Sequence, residues 1–205
     1  MTPPASAAMP VGCTRCCWSR LAQIPHGSVL DVGRGTGEPL REVGLRFPET
    51  ARTGLDLSAN MLAVAREKLG GAVELVQGDA ERLPFADGRF EVPLCNDSFH
   101  HYPNPGAAAA EFARVLQPGG VLLLGDCTAP AGPRGWPTCS SPCPARGTCA
   151  STAGRSWPLL LEPHFHGVEF RRVGRSSLLV WGFGKQSTGP PHMRRARAGY
   201  SSMAK

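Results

Sequence analysis

The chemistry of this sequence is concentrated in one run of glycines and a few short polar side chains. Asp31-Val32-Gly33-Arg34-Gly35-Thr36-Gly37 follows an apolar, β-branched stretch and precedes a helix-forming one. Glycines in such a place let the backbone turn sharply and let a ligand lie against bare main chain. A glycine-rich turn without a ligand is the plainer alternative. The spacing is GxGxG, whereas dinucleotide sites use GxGxxG and hold a pyrophosphate at a helix N-terminus. Asp31 stands two residues before the first glycine. A carboxylate there repels a pyrophosphate and suits an ammonium group. The charge therefore favours a cationic nucleoside over a phosphorylated one.

Asp56 comes 25 residues after Asp31, at the end of a second apolar stretch. An acid at that strand end can accept hydrogen bonds from both hydroxyls of a ribose. It can also act as a favourable charge before a helix start, and the spacing favours the ribose. Leu57 and Met61 can cover a flat base with apolar surface, although Met61 fits a core position equally well. Asp79, in Gly78-Asp79-Ala80-Glu81, can accept from an adenine amino group while the Ala80 N–H faces the ring. A turn-forming aspartate is the alternative. Asn96 ends a fourth apolar stretch. Asp31, Asp56, Asp79 and Asn96 all fall at predicted strand ends, where open α/β sheets bind ligands.

The elements that must position these residues alternate regularly. Short strands are predicted at 29–33, 53–57, 73–79, 90–97 and 121–127. Between them, Leu40, Val43 and Phe47 recur at helical spacing, with Pro39 in the first turn. Met61, Ala65 and Leu69 form a stripe behind a Ser58 cap, and residues 107–116 form a strong helix. Such alternation predicts an α/β fold, a Rossmann-like doubly wound and mostly parallel sheet. Runs at 167–174 and 176–184 are expected to add a C-terminal antiparallel hairpin.

VLDVGRGTG, TGLDLSANMLAVAREKL, GDAERLPFADGRFE, CNDSFHHYPNP and ARVLQPGGVLLLGD, taken in order over residues 28–129, resemble the motif series of class I S-adenosylmethionine (SAM)-dependent methyltransferases. The similarity is greatest to the ubiquinone/menaquinone-biosynthesis, methyltransferase type 11-like subgroup. SAM carries an ammonium and no phosphate, which agrees with the charge argument. The resemblance implies that Asp31, Gly33, Gly35, Thr36 and Gly37 line the methionine end. It implies Asp56 on the ribose, Asp79 and Ala80 on the adenine, and Asn96 near the sulfonium. The function implied is methyl transfer to carbon or oxygen of a small molecule. His100 and His101 follow the fourth strand, and either can serve as a base because imidazole titrates near neutral pH. The reading favoured for each is that it shapes the pocket or is merely exposed, so the catalytic residue stays unassigned.

Composition bounds the remaining possibilities. The 205 residues suit one domain, expected over 28–184, with an irregular lead-in at 1–27 and a basic tail at 185–205. No run of about 18 apolar residues occurs. The first residues lack a basic and apolar leader, so a cytoplasmic protein without a membrane span is expected. Residues 1–127 hold 11 basic and 14 acidic side chains; residues 128–205 hold 11 and 2. The net charge of +6 therefore belongs to the C-terminal part. A nucleic-acid-associated role for that part is an alternative, weakened by the lack of interleaved aromatics. Of the eight cysteines, Cys13/Cys16 and Cys139/Cys143 form spaced pairs, but they are far apart and no metal site is expected. Oligomeric state is not legible.

Three features depart from the family pattern. Arg34 stands where a small residue is usual; close to a cationic cofactor it would cost on the order of 1–4 kcal/mol, unless it snorkels outward. Pro93 falls inside a strand expected to be central. Residues 130–158 are rich in Pro, Gly, Cys and Arg and show no apolar period, so disorder is expected there. Compensating frameshifts, or decay of the gene, would produce such a stretch. The corresponding alternative is a catalytically impaired SAM-binding remnant.

Overall fold

The apolar run at 29–32 becomes the middle of a seven-stranded sheet. In chain order the strands are β1 (Ser28–Val32), β2 (Ala51–Asp56), β3 (Glu74–Gln77), β4 (Val92–Asn96), β5 (Val121–Cys127), β6 (Phe165–Val173) and β7 (Ser177–Gly184). The computed structural model describes residues 13–33, 35–127, 157–173 and 177–185. Strand order across the sheet is β3-β2-β1-β4-β5-β7-β6. β1 to β5 pair in parallel, and β7 runs antiparallel to both β5 and β6. The fold is the Rossmann-like, doubly wound α/β sheet with an antiparallel C-terminal pair. β7 inserts between β5 and β6, so β6 is the edge strand. Its exposed Glu169, Arg171 and Arg172 are the charged side chains that discourage edge-to-edge pairing.

The helices are α1 (Cys13–Leu21), α2 (Glu38–Arg46), α3 (Ala59–Leu69), α4 (Pro105–Val115) and α5 (Trp157–Leu161). Successive strand residues point to opposite faces. Accordingly Leu30, Val32, Leu122 and Leu124 pack with Phe112 and Val115 of α4 and Trp157 and Leu161 of α5. Val29, Val92, Leu94 and Leu123 pack instead with Cys17, Trp18 and Leu21 of α1 and Val43 of α2. From β1 the chain winds outward to β2 and β3; from β4 it winds the other way to β5. The crevice at the C-terminal ends of β1 and β4 is therefore the topological switch point.

Several expectations are corrected. The lead-in at 1–27 is not irregular throughout, because Cys13–Leu21 form a nine-residue helix. Such a helix is marginal alone and forms here because Cys17, Trp18 and Leu21 bury against β5 and β7. Helix α5 precedes the predicted hairpin, and β6 starts at Phe165 rather than 167. On α3 the buried stripe starts from Leu62 and Ala65, while Met61 is 45% exposed. Residues 61 and 62 both suit a helical period, and only the neighbouring chain selects between them. Pro93 does lie in a central strand. It pairs with Leu30 on the β1 side, while the β4–β5 ladder begins one residue later, at Leu94. The missing donor thus falls at the start of the strand. Arg34, residues 128–156, Cys139, Cys143 and the tail from 186 lie outside the described residues. No helix among the described residues is long and apolar enough to cross a membrane.

Candidate functional site

The strand tips at the switch point are stitched together by backbone hydrogen bonds. The Gly33 N–H donates to the Leu55 carbonyl (2.9 Å), the Gly78 N–H to the Asp56 carbonyl (3.1 Å) and the Asp97 N–H to the Gly125 carbonyl (2.7 Å). These bonds tie β1 to β2, β2 to the end of β3, and β4 to β5. Asp97 adopts φ 53°, a left-handed conformation that Asp tolerates better than most residues.

The glycine loop leaves β1 with Gly33 at φ 89° and enters α2 through Gly37 at φ 74°. Protein atoms use the space the glycines leave. A Cβ on Gly33 would lie 2.6 Å from both the Ser98 and the Tyr102 hydroxyl oxygens. One on Gly35 would collide with the Met61 Cβ and lie 3.0 Å from Asp56 Oδ2. One on Gly37 would meet the Leu69 side chain at 2.7 Å. Gly33→Ala therefore combines a positive φ with a steric clash. Backbone strain of this kind costs about 1–3 kcal/mol, so a drop in the urea midpoint without a change in slope is expected. An unchanged midpoint would contradict this account of the loop.

Asp31 is 3% exposed and, with Gly35, Gly37, Leu40, Leu55 and Leu62, lines one crevice between the sheet and helices α2 and α3. Asp56 is 9% exposed; its Oδ1 accepts from the Ser58 N–H (2.8 Å), and Oδ2 lies on the Gly35 side. Ser58 in turn caps α3 by accepting from the Met61 N–H. Leu57 is 71% exposed beside this cluster. The structure thus brings together Asp31, Gly33, Gly35, Gly37, Asp56 and Met61, with half-buried Thr36 in the same loop. Two buried carboxylates beside the glycine backbone form an acceptor set suited to a ligand with an ammonium and hydroxyls, and poorly suited to a phosphate.

The other predicted residues are placed differently. Asp79 is exposed and makes the turn: its Oδ1 accepts from the Glu81 N–H (2.9 Å), and its carbonyl accepts from the Arg82 N–H. Its neighbour Gly78 nevertheless joins it to Asp56. Ala80 is buried in the core with Leu83 and Phe85. The Asn96 side chain faces α1, where its Oδ1 accepts from the Cys17 thiol (3.7 Å).

A pair that the sequence reading missed stands at the ends of β4 and β5. Fully buried Asp126 accepts the His100 backbone N–H on Oδ2 (2.9 Å), and its Oδ1 lies 2.5 Å from His100 Nδ1. The His101 ring lies 3.9 Å from that of His100. Burial, and then the neighbouring His100, hold the His101 pKa below the usual histidine value. The available signal was an acid at the end of the fifth strand, the same pattern that singled out Asp31 and Asp56.

Residues 30–124, from β1 into β5, match the protein family described as Methyltransferase domain. Curated relatives agree. A demethylmenaquinone methyltransferase from Deinococcus radiodurans is 38% identical over 114 residues, which is 54% of this chain and 47% of that protein. A fatty-acid O-methyltransferase from Mycolicibacterium smegmatis is 39% identical over 106 residues, 51% of this chain and 39% of that protein. The chain thus spans about half or less of the length of these relatives. Among solved structures, the [4+2]-cyclase SpnF matches with a TM-score of 0.69 at 21% identity, covering 85% of this chain and 80% of that one. A SAM-dependent methyltransferase from Aquifex aeolicus matches with a TM-score of 0.64 at 21% identity, covering 82% and 88%. These structural matches extend the shared fold over more of the chain than the family match covers.

Proposed function

We propose that this chain transfers a methyl group from SAM to a small organic acceptor, at carbon or oxygen. The observation that carries the reading is that Gly35 neighbours both acids: it lines one crevice with Asp31, and Asp56 Oδ2 lies 3.0 Å from its Cβ position. Asp31 takes the ammonium of the methionine end, beside the backbone of Gly33, Gly35, Thr36 and Gly37. Asp56 accepts from the ribose hydroxyls, and Leu57 and Met61 cover the base. Gly78 sets the third strand tip beside Asp56, so Asp79 and Ala80 border the adenine end, and Asn96 stiffens the fourth tip. SAM supplies a methyl already made electrophilic by the sulfonium. The protein's task is to align the acceptor and, where needed, remove its proton. Asp126 orients His100 for that removal. The names of the curated relatives, one a demethylmenaquinone and one a fatty-acid methyltransferase, support a small organic acceptor.

Calorimetric titration with SAM, its demethylated product and NAD tests the reading. Saturable one-to-one binding of the first two and none of the third is expected. Binding of NAD in preference to SAM, or of neither, would overturn it. Binding without turnover on any quinone, phenol or fatty acid would instead favour the impaired remnant.

A further inference from the structure

Ser98 and Tyr102 reach under the glycine loop from the connection between β4 and α4. The Ser98 hydroxyl donates to the Val32 carbonyl (3.0 Å), and the Tyr102 hydroxyl donates to the same oxygen (3.4 Å). The two hydroxyl oxygens are 3.2 Å apart, and the Cys95 Sγ lies 3.1 Å from the first and 3.5 Å from the second. Val32 is the last residue of β1, immediately before the positive-φ turn at Gly33. That turn is therefore gripped on both sides: its carbonyl end by Ser98 and Tyr102, its N–H by the Leu55 carbonyl. Between Ser98 and Tyr102 lies the short turn Phe99–His101, whose His100 is held by Asp126. One five-residue segment thus touches the glycine loop at both of its ends and carries His100 in its middle.

Buried hydrogen bonds that share partners reinforce one another, and a partner left unmatched is costly. Burial pushes the Cys95 thiol up to about 12 and holds the Tyr102 phenol well above its usual value. The thiol and the phenol beside the Val32 carbonyl therefore stay protonated near neutral pH. Phe112, Phe99 and Tyr102 rings pack against one another and fix the direction of the phenol.

We propose that Ser98 and Tyr102 are positioning residues that hold the Val32–Gly33 turn in its cofactor-binding form and keep it in register with His100. The proposal rests on the reading of the site as a SAM site. Its effect passes through the glycine loop, so it is read in cofactor affinity and loop order rather than in stability alone.

The test uses the full chain with Ser98→Ala, Tyr102→Phe and the double variant. Leu179→Ala, a buried change on the opposite face of the sheet, serves as the stability control. SAM affinity, melting temperature and hydrogen exchange at the Gly33 and Gly35 amides are measured. Each single variant is expected to weaken SAM binding several-fold and the double variant roughly tenfold or more, with faster exchange at those amides. Leu179→Ala lowers the melting temperature but leaves affinity and loop exchange as in the wild type. Unchanged SAM affinity in both single variants would overturn the proposal while leaving the SAM reading intact. A matching loss of affinity in Leu179→Ala would do the same. A wild type that does not bind SAM would overturn both.

Discussion

Asp56→Ala is expected to weaken SAM binding at least a hundredfold. Asp56 is a nearly buried carboxylate at the tip of β2, and its Oδ2 lies on the side of the Gly35 backbone. Hydrogen bonds to a charged acceptor contribute about 1.5–3 kcal/mol each. Two ribose hydroxyls on one carboxylate therefore correspond to roughly a 10²- to 10⁴-fold change in affinity. The substitution also removes the acceptor of the Ser58 N–H. Ser58 retains its own bond to Met61, so the start of α3 should lose only about 1 kcal/mol or less. Asp56→Asn separates the two effects, since the amide oxygen still serves Ser58 while the charge is gone. Calorimetry should place its affinity between those of wild type and Asp56→Ala. A change of less than threefold in Asp56→Ala would remove the ribose assignment.

His100→Ala is expected to lower kcat by roughly 10²-fold or more, the usual contribution of a positioned base, with little change in SAM affinity. Asp126 holds both the ring and the backbone of His100. Asp126→Asn therefore misorients the base and should produce a smaller loss in the same direction. Only neutral imidazole accepts a proton. Burial holds the His101 pKa below the usual histidine value, and among the described residues no carboxylate is in hydrogen-bond contact with its ring as Asp126 is with that of His100. His101→Ala should leave kcat nearly unchanged. Equal rates for wild type and His100→Ala on an acceptor with an ionisable proton would discard the base assignment.

Much of this architecture is written in local pattern. Five apolar runs, most of them separated by helical periods, suffice to predict a doubly wound and mostly parallel sheet. Ser58, Pro39 and Gly70 punctuate the helices where their backbone chemistry suggests. The closeness of the glycine run to two acids was legible for the same reason. Asp31, Gly33 and Gly35 lie within five residues of one another, and Asp56 needs only the parallel pairing of two adjacent strands to reach them.

The residues misread or missed are those whose neighbours come from far along the chain. Met61 and Leu62 have equal claims to the buried stripe of α3, and it is Leu62 that the packed chain buries. Asn96 ends its strand as expected, yet its side chain faces Cys17, because α1 packs on that face of the sheet. Helix α1 itself has too few turns to announce itself, and it exists because β5 and β7 offer it a surface. The pairing of His100 with Asp126, 26 positions apart, and the grip of Ser98 and Tyr102 on Val32, 66 and 70 positions apart, arise from strand order across the sheet. Hydrophobic period and turn chemistry act over a few residues and can be read directly. Which side chains meet across the crevice depends on how the two halves of the sheet diverge from β1 and β4, and that is settled only when the whole chain packs.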